Sequence, residues 1–395
     1  MTSHVDFRDP TTTRIPWPQD REFEQMDWRP PKAHIIVSAD DHVMEPVHLW
    51  EDRMPARYKD WAPKLWRDDA GYHLEVEGRS FDSPGFNSQL IEGREGIHDP
   101  ALRLADMDGD LVDISIAFPQ RGLALFYIRD ADKLMATVDV YNQWFAEWCG
   151  QFDGRVIGVG ILPTILRPEA TREYLQRLKS LGFKAIMLPS YPRGIQYNSQ
   201  EAEQIFDAIE ESGLPLSFHV GEAGEQSTGH GALLTYITAQ LQSFRKLWCT
   251  LVFSGILERH PDLKVIFTEG GASWAASALY DADNVYRAYE TETRPKLARL
   301  PSFYWRQNCY ATFMDDPTAY REVDRIGADK IMWSVDYPHP EGTLGYGRRV
   351  LKEIYDTVSE ADARKIVGQN AVDVWGLQET ADRILAARGV EVGKV

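Results

Sequence analysis

Between residues 112 and 336 the chain repeats one pattern: a short apolar run, then a stretch with helical spacing. The runs cover residues 112–118, 157–162, 185–188, 216–220, 263–269 and 331–336. They are nearly continuous in apolar residues, without the alternation of a strand that has one wet face. Both faces are therefore expected to be covered, as in a parallel sheet flanked by helices. Between the runs, residues 130–149 set Leu134, Val138, Tyr141, Trp144, Phe145 and Trp148 at helical spacing. Residues 169–181 and 200–212 end on Gly182 and Gly213, a helix-stop signal. An opening strand at 35–37 and a short one at 307–311 bring the count to seven or eight. This alternation predicts an α/β chain with a distorted (β/α)8 TIM barrel rather than an open doubly wound sheet.

The flanks read differently. Residues 1–33, rich in Pro, Asp, Arg and Thr, predict an extended N-terminal arm, either wrapped on a neighbouring subunit or loose. The barrel is expected over 34–378, with an insertion at about 58–98 and a C-terminal tail at 379–395. Within the insertion, residues 71–81 alternate around Glu77-Gly78 and predict a small β-hairpin after strand one. No Gly-rich phosphate loop follows the first strand, which disfavours a nucleotide. A net charge of −17 argues against nucleic acid and anionic membranes. Cys149, Cys249 and Cys309 are widely spaced, and no apolar leader or membrane-length run is visible, so a cytoplasmic protein is expected.

In a barrel of this kind all strands end on one rim. Strand one brings Asp40, His42 and Glu45 to it, and Asp40 and His42, two apart, point the same way. Later strands bring His219, Glu269 and Asp336, with His339 three residues on. Carboxylates and imidazoles gathered at one mouth repel one another unless a cation lies among them, so all seven are candidate metal ligands. Asp336 is the hardest to dismiss, since an acid ending an apolar run is expensive to bury unpaired. His260, at a helix end, and His230, Glu222 and Glu225, in a loop, are set aside.

Taken together, Asp40-Asp41-His42, Ser217-Phe218-His219, His260-Pro261-Asp262-Leu263, residues 333–339 and residues 365–371 resemble the amidohydrolase superfamily in its amidohydrolase-2 branch. The stretch from about 35 to 376 is similar to aminocarboxymuconate-semialdehyde and γ-resorcylate type decarboxylases. The resemblance implies a metal-dependent enzyme with Asp40, His42, His219 and Asp336 as ligands. Where relatives usually carry a histidine after the strand at 263, this chain has Glu269, and its first motif runs on to Glu45.

Two readings follow. The first is hydrolysis or non-oxidative decarboxylation of a small carboxylate- or amide-bearing molecule. Asp336 is then base and ligand, and His219 or His339 moves protons. Arg121 and Arg193 are candidate clamps for a substrate carboxylate. The alternative, which resembles dinuclear 2-aminoisobutyrate hydroxylase type monooxygenases, uses Glu45, Glu269 and His339 to hold a second ion. The expected cofactor is a divalent metal (Zn, Mn or Fe), as one ion or two. A homo- or hetero-oligomer is expected.

Overall fold

The computed structural model describes residue 11 and residues 15–69, 71–81, 93–163, 168–191, 195–219, 229–240 and 244–391. Eight parallel strands lie side by side in chain order. They are β1 (Val37–Val43), β2 (Ile114–Pro119), β3 (Val156–Ile161), β4 (Ala185–Pro189), β5 (Leu216–His219), β6 (Val265–Thr268), β7 (Cys309–Phe313) and β8 (Ile331–Trp333). The last strand returns to the first. Asp41 and Tyr337 form a parallel bridge, Asp336 N–H donates to Asp40 O at 2.9 Å, and His42 N–H donates to Tyr337 O at 2.6 Å. The result is the (β/α)8 barrel that the alternation predicts.

Local sequence explains the elements. β2, β4 and β5 are buried along their whole length, as their apolar runs require. The helix Ala131–Cys149 is capped by the Asp130 carboxylate, which accepts from Lys133 N–H. It buries Leu134, Val138, Tyr141 and Phe145 against the sheet. The helix Gln200–Ser212 starts at a Ser199 cap and stops at Gly213 in the left-handed conformation, φ 71°.

The structure departs from the sequence pattern at several places. β1 begins at Val37 and runs to Val43, so Asp40 and His42 lie inside the strand rather than past its end. The reason is pairing: His42 and Val43 stay in register with Phe118 and Pro119 beyond an irregularity between Ser38 and Asp41. The short strand expected at 307–311 is β7, displaced because Pro301–Asn308 is helical. The hairpin turns at Glu77 and Gly78, both at positive φ as a two-residue turn demands, but a third strand, Lys64–Asp68, joins it. Residues expected as a tail include the helix Gln378–Ala387, with Ala381 and Leu385 buried.

The junction under β1 is close. Gly368 lies in a π-helical turn at Lys365–Gln369, and a Cβ there would stand 1.9 Å from Ile35 O. Gly368→Ala is therefore expected to lower unfolding free energy by about 1–3 kcal/mol, read as a fall in the denaturant midpoint. An unchanged midpoint would refute the close approach.

Candidate metal centre

Six of the seven rim residues converge. His219 ends β5, Glu269 follows β6, and Asp336 lies three residues past β8. One group of atoms within 4.8 Å of one another comes from Asp40, His42, His219 and Glu269, and a second from His42, Glu269, Asp336 and His339; every member is buried. His219 Nε2 lies 3.4 Å from Asp40 Oδ1, and its Nδ1 lies 3.4 Å from Glu269 Oε2. His42 Nε2 lies 3.3 Å from Asp336 Oδ1. His339 Nδ1 lies 2.8 Å from Asp336 Oδ1 and 3.6 Å from Glu269 Oε1.

Among these atoms, Asp40 Oδ2, His42 Nε2 and Asp336 Oδ2 are buried without a hydrogen-bond partner. Leaving one such group unmet costs about 1–3 kcal/mol. His42 shows what they are for. Its Nδ1 lies 3.0 Å from Pro119 O, and a carbonyl can only accept, so the proton sits on Nδ1 and the Nε2 lone pair faces the cluster. Burial, with His339 and His219 nearby, pushes the His42 pKa well below its ordinary value and keeps the ring neutral. Burial pushes Asp40 up to about 6 against the pull of His219. Burial raises Asp336 well above the carboxylate range, Glu269 and Asp40 adding to the shift and His339 opposing it. A divalent cation among these groups would give unpartnered atoms a partner and relieve the crowding of acids, so the donor set fits such an ion.

The backbone is bent to aim these groups. Glu269 and Asp336 have left-handed φ values of 68° and 58°, each costing about 1–3 kcal/mol that surrounding bonds must offset. Glu269 N–H donates to Thr312 Oγ1 at 2.9 Å. Asp41 points away from Asp40 and His42. Its carboxylate accepts from Ser38 Oγ, Ser115 Oγ and Tyr337 N–H, and lies 3.4 Å from the Arg103 guanidinium. Arg103 is fully buried, donates to His42 O at 2.9 Å and stacks over the Tyr337 ring. Sequence reading missed Arg103, although a buried acid on the helix-facing side of β1 calls for a cation on the next helix. It also missed Gln120, whose Oε1 lies 3.2 Å from His339 Nε2.

Glu45 is the rim residue that neither group includes. Its Oε2 and Oε1 accept from the backbone N–H groups of Arg121 and Gly122 at 2.9 and 2.8 Å. The Arg121 guanidinium donates to Tyr72 O in the insertion. His260 is buried between Glu203 and Glu210 on a helix, at 3.2 and 3.1 Å, and His230 is exposed. Arg193, Glu222 and Glu225 lie outside the described residues.

Burial pushes Glu45 up to about 7 despite its two amide donors. A carboxyl raised above its unfolded value of 4.5 stabilises the fold fully at low pH and loses that contribution as pH climbs through 7. The stability difference between wild type and Glu45→Gln should therefore shift against wild type by about 2–3 kcal/mol from pH 5 to pH 8. Urea titrations at both pH values check this; a pH-independent difference refutes it.

Known proteins carry the same architecture. The chain is 23% identical over 287 residues, 71% of its length and 77% of the relative, to 2-amino-3-carboxymuconate-6-semialdehyde decarboxylase of Dictyostelium discoideum. An amidohydrolase of Mycobacterium avium subsp. paratuberculosis superposes with a TM-score of 0.70 at 19% identity, over 87% of this chain and 99% of that one. The 5-carboxyvanillate decarboxylase of Novosphingobium aromaticivorans, complexed with manganese and 4-hydroxy-3-methoxy-5-nitrobenzoic acid, superposes at 0.66 with 19% identity, over 91% and 99%. The family model described as amidohydrolase matches residues 45–377, and the chain belongs to that family.

Proposed function

We propose that the protein is a metal-dependent enzyme that removes carbon dioxide, without oxidation, from a small carboxylate-bearing molecule. One observation carries the reading: His42 Nε2, Asp40 Oδ2 and Asp336 Oδ2 are buried, unpartnered and gathered at one rim. The decarboxylase of Dictyostelium discoideum and the manganese complex from Novosphingobium aromaticivorans support the choice of reaction. Monooxygenases do not appear among the relatives reported above, so oxygen activation is the less favoured alternative.

Asp40, His42 and His219 from the first group, with Asp336 reaching in from the second, would hold the ion. Two carboxylates and two imidazoles, with no thiolate, suit manganese or iron. When bound, such an ion supplies positive charge that steadies a substrate carboxylate and the electrons left on carbon. The chain's own part is proton control. Burial alone would lower the His339 pKa, but Asp336 and Glu269 carry it well above its ordinary value. His339, with Nδ1 2.8 Å from Asp336 Oδ1, stands beside the centre, placed to carry the proton that replaces the departing carboxyl group on carbon. Gln120 Oε1, at 3.2 Å, grips the far side of the same ring. The neutral His42 ring has no proton to give on the side facing the cluster.

The second group of donors favours one further reading, a second ion. His42 offers a single lone pair and serves one ion only. Glu269, with Oε2 toward His219 and Oε1 toward His339, is the shared residue able to bridge two.

Metal analysis of the purified protein is expected to give one divalent ion per chain; two per chain would select the bridged reading. Asp336→Ala should weaken binding by at least about 100-fold, since even residues behind a ligand cost 10- to 100-fold. Metal-loaded protein should release carbon dioxide from members of a panel of small aromatic and unsaturated carboxylates, and chelation should abolish it. Amide hydrolysis without carbon dioxide release would overturn the decarboxylase reading, and unchanged metal content in Asp336→Ala would overturn the site.

A further inference from the structure

We propose that Arg21, from the segment before the barrel, is a positioning residue for the loop that carries Asp336 and His339. Its consequence for metal binding rests on the metal-dependent reading above; its geometry does not. Arg21 is buried, with 7% of its surface exposed. Its Nη1 donates to Gly342 O at 2.9 Å and Leu344 O at 3.3 Å, and its Nη2 donates to Pro340 O. Its Nε donates to Pro16 O at 2.9 Å, so all three guanidinium nitrogens are engaged. Three carbonyls on alternate residues of one loop thus converge on a single planar fork, a geometry that lysine cannot reproduce in full.

The loop leads straight back to the rim. His339 N–H donates to Asp336 O at 2.8 Å, Gly342 N–H to His339 O at 3.1 Å, and Thr343 N–H to Val335 O at 2.8 Å. At Gly342 a Cβ would stand 2.4 Å from Val335 O and 2.7 Å from Asp336 O, so the loop lies directly on the Asp336 backbone. That backbone is left-handed, a conformation an aspartate keeps only while its surroundings enforce it. Arg21 neutralises the carbonyl side of the loop that does the enforcing.

The segment is anchored in turn. Arg94 donates to Arg21 O at 3.2 Å and to Pro18 O at 3.4 Å, and pairs with Asp106 through two nitrogens. Asp106 also accepts from the Tyr337 hydroxyl at 2.8 Å. Glu24 N–H donates to Gly345 O at 2.7 Å, and Gly345 N–H donates to Asp110 Oδ2 at 2.8 Å. The Arg21 segment and the Asp336 loop therefore share one network that returns through Tyr337 to the barrel seam.

The test compares wild type with Arg21→Met, Arg21→Lys and Arg349→Met in the full chain. Arg349 pairs with Glu24 on the same segment at 3.0 Å and serves as the control for loss of an arginine from that network. Amide hydrogen exchange over residues 335–346 is measured on metal-free protein, manganese affinity by chelator competition, and Tm in parallel. Arg21→Met is expected to speed exchange at Gly342, Thr343 and Gly345 and weaken manganese binding by about 10- to 100-fold. Arg21→Lys should recover part of both losses, and Arg349→Met should match wild type. Unchanged exchange in Arg21→Met overturns the inference whether or not metal binds. So does faster exchange with manganese affinity within twofold of wild type, or a drop in Tm alone. Wild type that binds no ion would overturn the metal reading instead, with the exchange result still deciding whether Arg21 holds the loop. If Arg21→Met does not fold, Arg21→Lys against wild type decides on the same two readouts.

Discussion

The closing seam of the barrel is the interaction on which the rest depends. Two backbone bonds join the segment just past β8 to β1, and their partners are Asp336 with Asp40 and His42 with Tyr337. The residues that aim carboxylate and imidazole atoms at the rim are thus the residues whose amides and carbonyls hold the sheet together. Fold and site cannot be separated there. A shift of one residue along the seam would turn Asp40 and His42 away from the rim and Asp41 toward it. The Asp41 carboxylate blocks that shift from the other face of β1, since Ser38, Ser115, Arg103 and Tyr337 already bind it.

This arrangement explains which parts of the molecule a sequence can display. The barrel was legible because burial on both faces of a parallel sheet leaves apolar runs at regular intervals, and that pattern survives without coordinates. Asp40, His42, His219, Glu269 and Asp336 were legible for the same reason: each interrupts or ends such a run with a group that is costly to bury. His339 was reachable by its spacing from Asp336. Residue type and strand position carry this information locally.

Glu45, Gln120, Arg21 and Arg103 depend on distance in three dimensions instead. Glu45 follows the first motif closely enough to look like part of it, yet β1 ends at Val43 and the chain turns its carboxylate to the Arg121 and Gly122 amides. Gln120 and Arg21 meet their partners 219 and more than 300 residues away. An arginine in a Pro-rich leader has no local sign that three carbonyls await it. The docking of Arg21 on the Asp336 loop was therefore not readable from its neighbours in the chain.

The acid content of the rim sets a further constraint. Asp40, Glu269 and Asp336 face two or more imidazoles in a largely buried space, and burial raises the pKa of both aspartates. Glu269 and Asp336 also hold left-handed backbone conformations, which the surrounding bonds must enforce. Such a pocket is poorly suited to a purely structural role, because apolar residues of similar volume would pack there at lower cost. On the proposed reading the cost has a use. Glu269 would add oxygen and negative charge to a site for a hard divalent ion, and His339 lies between Asp336 and Glu269. Asp336 Oδ1 faces His339 while its Oδ2 has no partner, so this one carboxylate, held in a left-handed turn by the seam and the loop behind it, would orient the proton carrier and still offer an oxygen to an ion.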